Sequence, residues 1–141
     1  MIPAFADMAA AHEDIDSHRE CNYCGMDRKA YGFSRMVIVY KDGTKAGVCS
    51  VHCTITELDA NKGREIATML VADRNTRNLV DVEKATWVIG GNKRGVMTMR
   101  PKWAFATKES ARDFISRYGG TLSSWPEVMA AAREDARKIK R

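Results

Sequence analysis

The run Met36-Val37-Ile38-Val39-Tyr40 is β-branched and aromatic, and turn residues Asp42-Gly43 follow it. A second short run then ends at Val48, so the pattern predicts a β-hairpin over Met36 to Val48. Ser50 is placed to cap a helix running "VHCTITELDANKG", with Gly63 as its stop. "ATMLVAD" predicts a third strand ending in a turn near Asn75. The second half repeats this rhythm. Strand material lies around Leu79 and from Ala85 to Ile89, and a short strand "KWAFA" follows the loop "GGNKRGVMTMRP". Thr107 can cap a helix in which Ala111, Phe114, Ile115 and Tyr118 share one face, with Gly119-Gly120 ending it. A last amphipathic helix begins near Trp125-Pro126. The pattern therefore predicts an α+β fold of two similar halves, 21–74 and 75–141. They are preceded by a polar, acidic arm over 1–20 with at most one helical turn.

With 141 residues, 45% of them hydrophobic and 29% charged, the chain has the balance of a globular domain, and no run reaches the roughly 18 apolar residues that span a bilayer. The net charge of +5 is scattered; its densest cluster, "REDARKIKR", reads as a solvated helix end, so no nucleic-acid partner is expected. Ala4-Phe5-Ala6 before Asp7 has the small-x-small form of a signal-peptidase site, which predicts an exported, periplasmic protein. Thiols exported to an oxidising space need pairing or a metal.

All four cysteines fall into one arrangement: Cys21-x2-Cys24, a hairpin, then Cys49-x3-Cys53 at a helix start. Residues four apart share a helix face, and a helix N-terminus favours thiolates. The arrangement resembles a treble-clef zinc finger. Three readings stay open: a four-thiolate structural zinc site, a copper(I) site of soft thiolate and thioether donors, and disulfides. Met26 belongs to the copper reading only, and His52 is an alternative to Cys53 as fourth ligand. Met97 and Met99, in a glycine-flanked loop, are further soft donors. A thioredoxin-type role is disfavoured, because this Cys-x-x-Cys precedes a hairpin rather than opening a helix after a strand. A carbon–metal lyase would need a proton donor, for which Asp27 is the nearest carboxylate. Neither makes a convincing enzyme. Trp87, Trp103 and Trp125 are expected in the core.

"CNYCGM", the "KDG" hairpin and "CSVHC", followed by "VADRNTRNLVDVEKATWVIGG", the methionine loop and "AFATKESARDFISRYGG", resemble the NosL family from Cys21 to Gly120. These are copper chaperones associated with nitrous-oxide reductase. The first half is also similar to the TRASH metal-sensing pattern. The resemblance implies two small ββαβ-type halves related to a domain of organomercurial lyases, a place in the bacterial cell envelope, and copper(I) binding without enzymatic activity. It implies delivery of copper to a copper enzyme or its maturation machinery. Exposed Cys and Met ligands can be shared between chains, so a monomer or a metal-bridged dimer is expected. Cys24 and Met26 are the ligands the resemblance implies, with Met97 as an addition. The alternative function is a zinc-stabilised, four-cysteine interaction module. The Cys49/Cys53 pair is richer in thiol than the corresponding segment common in the family.

Overall fold

The computed structural model describes residues 13–93 and 100–139. A first helical turn, α1 (Glu13–Ser17), leads into the cysteine segment. A four-stranded antiparallel sheet follows, built from β1 (Met36–Tyr40), β2 (Lys45–Val48), β3 (Ile66–Ala72) and β4 (Leu79–Asp81), with α2 (Val51–Ala60) between β2 and β3. Its spatial order is β2-β1-β3-β4. The second sheet contains β5 (Thr86–Ile89), β6 (Lys102–Phe105) and β7 (Thr121–Ser123) in the order β6-β5-β7. Helix α3 (Lys108–Tyr118) precedes β7, and α4 (Trp125–Ile139) closes the described chain.

Each half thus has the same plan. Its first strand lies in the middle, hairpinned to the second strand on one side and paired on the other with the strand that follows the helix. This is the expected α+β architecture of two ββαβ units, the first extended by β4.

Local chemistry explains the boundaries. Gly43 turns the first hairpin at φ 92°, a left-handed value that glycine adopts without penalty. Asp42 accepts from the Thr44 backbone N–H at 2.9 Å. Thr107 caps α3 as expected, its hydroxyl oxygen accepting from the Ser110 N–H at 3.1 Å. Helix α2 stops earlier than Gly63. Asn61 ends it by turning its side chain back to the Glu57 carbonyl, 2.9 Å away, while its own N–H reaches Leu58.

One apolar core runs through both halves. Met36, Ile38, Val48 and Val71 of the first pack in it with Trp87, Ala104, Trp125 and Val128 of the second. The rings of Trp87 and Trp125 sit 5.3 Å apart, and the Trp87 indole donates to the Val82 carbonyl at 2.9 Å. All three tryptophans are buried. Val88, Trp103, Phe105, Ala111 and Phe114 form a smaller cluster between the second sheet and α3.

The segment before the first cysteine is tied to the fold by charge. Arg28 and Arg35 are both fully buried, and both reach the carboxylate of Asp14 in α1, at 2.7 and 2.8 Å. All five N–H groups of Arg28 are used: the Val48, Asp14, His18 and Met36 carbonyls and the Asp14 carboxylate accept them. That saturation is what allows a guanidinium to sit without water. Gly47 of β2 lies against this packing. A Cβ there would approach the His18 Cβ to 2.6 Å and the Arg28 Cζ to 2.9 Å. Gly47→Ala is expected to destabilise the protein by about 1–3 kcal/mol through overpacking. A urea midpoint unchanged from wild type would show that α1 yields freely.

Candidate metal centre

The first two cysteines sit on a tight loop closed by backbone bonds. Arg28 N–H donates to the Arg19 carbonyl at 2.7 Å and Cys21 N–H to the Met26 carbonyl at 2.9 Å. Gly25 N–H donates back to the Cys21 carbonyl at 3.1 Å, with Gly25 at φ 76°. The glycine after Cys24 is therefore a conformational requirement. The other two cysteines come from the junction of β2 with α2. Cys49 follows the strand, and Cys53 lies in the first turn of the helix, where the backbone dipole favours negative charge. The Asn22 N–H bonds the Gly47 carbonyl at 3.3 Å and docks the loop on the edge of β2.

These elements bring all four sulfurs together, each within 4.8 Å of the others. Cys24 Sγ is 3.4 Å from Cys49 Sγ, which is 3.8 Å from Cys53 Sγ. Covalent S–S bonds are about 2.05 Å long, so the four are thiols. Four thiolates at about 2.3 Å from one ion stand about 3.8 Å apart in a regular tetrahedron. The cluster needs little contraction to reach that. Cys21, Cys49 and Cys53 are buried in the main core, whereas Cys24 is half-buried.

The sulfurs share protons unequally. Hydrogen bonds from Cys49 and Cys53, with the Cys24 and Tyr23 backbone N–H groups, draw the Cys21 thiol well below the usual range despite burial. Donating to Cys21 pushes Cys49 up to about 12 and raises Cys53 as well. A bound cation takes the place of those protons. The arginines strengthen the preference for negative charge. Arg28 and Arg35 exceed Asp14 by one positive charge, and Arg28 is close enough to Cys21 to be stabilised by its charge.

Met26 is partly buried and packs against the core that holds the cysteines. His52 is not in the sulfur group. It lines a cavity of about 10 Å³ between the halves, with Phe33, Ser34, Ser50, Trp87 and Lys102. Met97 and Met99 lie outside the described residues. Asp27 is held in an ion pair at the surface. Arg19 holds it at 3.1 Å, and with the Lys29 and Ala30 N–H groups lowers its pKa to about 2.

One carboxylate beside the cluster was not expected. Glu57, one turn beyond Cys53 on α2, is 4% exposed and accepts from the hydroxyls of Tyr23 and Tyr40 and, at 3.1 Å, from the Asn61 amide. The sequence signal was there: Cys53 and Glu57 are four apart on α2, the spacing of one helix face.

The fold resembles a crystal structure of the copper chaperone NosL from Shewanella denitrificans, with a TM-score of 0.61 and 22% identity, over 80% of this chain and 91% of that one. No curated protein sequence matches the chain. The NosL family model matches residues 12–132, a span that takes in the cysteine loop, both sheets and most of α4, and the chain belongs to the NosL family.

Proposed function

We propose that this chain is a copper(I) chaperone of the bacterial cell envelope and binds the ion with Cys21, Cys24, Cys49 and Cys53. The convergence of four thiols with one of them half-exposed carries the reading. Soft thiolates suit copper(I), three buried sulfurs retain it, and Cys24 is where an incoming partner ligand can attack. Family membership and the copper chaperone whose fold this chain shares support it. Met26 and Met97 are proposed as auxiliary thioethers. The client is a copper enzyme such as nitrous-oxide reductase, or its maturation machinery. The protein acts as a monomer or as a dimer bridged through a shared ion. It holds and passes metal rather than catalysing a reaction. Among the described residues no helix is long and apolar enough to cross a membrane.

A second reading, a zinc-stabilised interaction module, rests on the same sulfur separations, which suit tetrahedral zinc. A copper(I) competition titration on reduced protein, against a chromophoric copper(I) chelator and after counting resident metal, separates the two. Met26→Leu is expected to weaken copper(I) binding roughly tenfold, the lower end of what losing a group that tunes a metal site costs. Zinc affinity should stay as in wild type. One tightly held zinc that copper(I) does not displace would leave the module reading standing.

A further inference from the structure

The geometry points to Glu57 as a positioning residue that, through the Tyr23 hydroxyl, latches the Cys21–Cys24 loop onto the helix carrying Cys53 and so sets how fast the metal leaves. This deepens the proposed function and rests on the four sulfurs being the metal site.

The two halves of the cluster come from different elements. Cys21 and Cys24 ride on a short loop at the edge of β2, with Cys21 buried and Cys24 half-buried, while Cys49 and Cys53 come from the junction of β2 with α2 and are both buried. An acceptor that attacks at Cys24 draws the loop pair away from the helix pair, so a bond across that divide resists release. Among the residues between the two loop cysteines, Tyr23 reaches across that divide. Tyr23 is 40% exposed, yet its hydroxyl donates to Glu57 on α2. The carboxylate is itself held in place. Tyr40 of β1 donates to its other oxygen, and Asn61 donates to that same oxygen at 3.1 Å. A buried, triply hydrogen-bonded carboxylate is a rigid anchor, and hydrogen bonds to charged groups are the stronger kind. Tyr23 is thus the movable end of the latch, and Tyr40 belongs to its fixed end.

That asymmetry makes the latch testable with two hydroxyl deletions. Tyr23→Phe removes the bond that must break when the loop lifts, from an exposed residue whose loss of oxygen leaves packing intact. Tyr40→Phe removes a bond to the same carboxylate from a strand that carries no cysteine. Each full-length variant is loaded with one equivalent of copper(I), transfer to a chromophoric copper(I) chelator is followed by stopped flow, and thermal midpoints are recorded alongside. Tyr23→Phe is expected to release copper roughly tenfold faster than wild type, the worth of one hydrogen bond to a charged group, with its midpoint little changed. Tyr40→Phe should lower the midpoint and release at the wild-type rate. Release from Tyr23→Phe at the wild-type rate, or equal acceleration in both variants, would overturn the latch. If wild-type protein takes up zinc and no copper(I), the chaperone reading fails. The same comparison made with zinc and a zinc chelator then decides the latch by the same two outcomes.

Discussion

Asp14→Ala is expected to lower the free energy of unfolding by about 3–5 kcal/mol, because it strips the shared carboxylate from two arginines that have no access to water. Arg28 and Arg35 keep their bonds to backbone carbonyls in the variant, but nothing then balances their charge. The effect carries a pH signature. Burial pushes the Asp14 carboxyl up, but the hydrogen bonds and charges of Arg35 and Arg28 outweigh it and hold the folded value below the ordinary one. A depressed carboxylate stabilises the fold above its unfolded pKa of about 3.9, and that stability is lost as pH falls through the folded value. The gap between wild type and Asp14→Ala in urea should therefore be full at pH 7 and close as the pH is taken below about 4. Asp135 on α4 moves the same way in both proteins. Burial opposes its ionisation, but Arg100 and Lys102 bring its pKa to about 2, so it drops out of the comparison. Asp113→Ala, which breaks the exposed Arg117–Asp113 pair on α3, serves as the control and should unfold close to wild type. A gap that is small, or that persists at low pH, would mean that α1 is not held by this charge.

The contrast between these two aspartates shows what the chain's pattern reveals and what it hides. The hairpin over Met36 to Val48 and helix α3 are visible because apolar spacing, Gly43, Thr107 and Gly119 all agree locally. Convergence of the four cysteines is visible for a similar reason: two short pairs flank one hairpin. Strand β7 is not visible. Thr121 to Ser123 have no strand pattern of their own, and it is pairing with Trp87, Val88 and Ile89 that makes them one. Nor are the buried charges. Arg28, Arg35 and Glu57 look like solvated positions, and only the partners assembled around them, Asp14 and backbone carbonyls for the arginines and two tyrosines with Asn61 for the glutamate, make burial tolerable. Apart from Asn61, four residues on, and Gly32, three residues back, such partners lie 8 to 42 residues away, as with the Met36 carbonyl that Arg28 reaches and the Arg77 carbonyl that Arg35 reaches, where no local periodicity extends.

Cys53→Ser is expected to weaken copper(I) binding by about two orders of magnitude, and Cys24→Ser by a similar amount but with a different kinetic consequence. Structural zinc sites with four ligands are worth on the order of 10–16 kcal/mol; on that scale one of four sulfurs is worth about 3 kcal/mol, and every 1.4 kcal/mol is a factor of ten. Serine keeps the size of the buried Cys53 side chain but is a harder donor that holds its proton, so the loss reports on ligation rather than packing. Because fewer thiols must deprotonate, binding by Cys53→Ser should also fall less steeply as pH is lowered. Cys24 is the half-buried member. Its replacement removes the ligand that an acceptor meets first, so transfer to a chelator should change its dependence on chelator concentration, whereas Cys53→Ser should only shift the equilibrium. Competition titrations at two pH values, with stopped-flow transfer for both variants, read all of this. If Cys53→Ser bound copper(I) as tightly as wild type while Cys24→Ser lost it, the ion would belong to Cys24 and Met26 alone. The helix thiols would then be core residues that happen to carry sulfur. Equal losses in both variants place the ion at the centre of the four, held by loop and helix together.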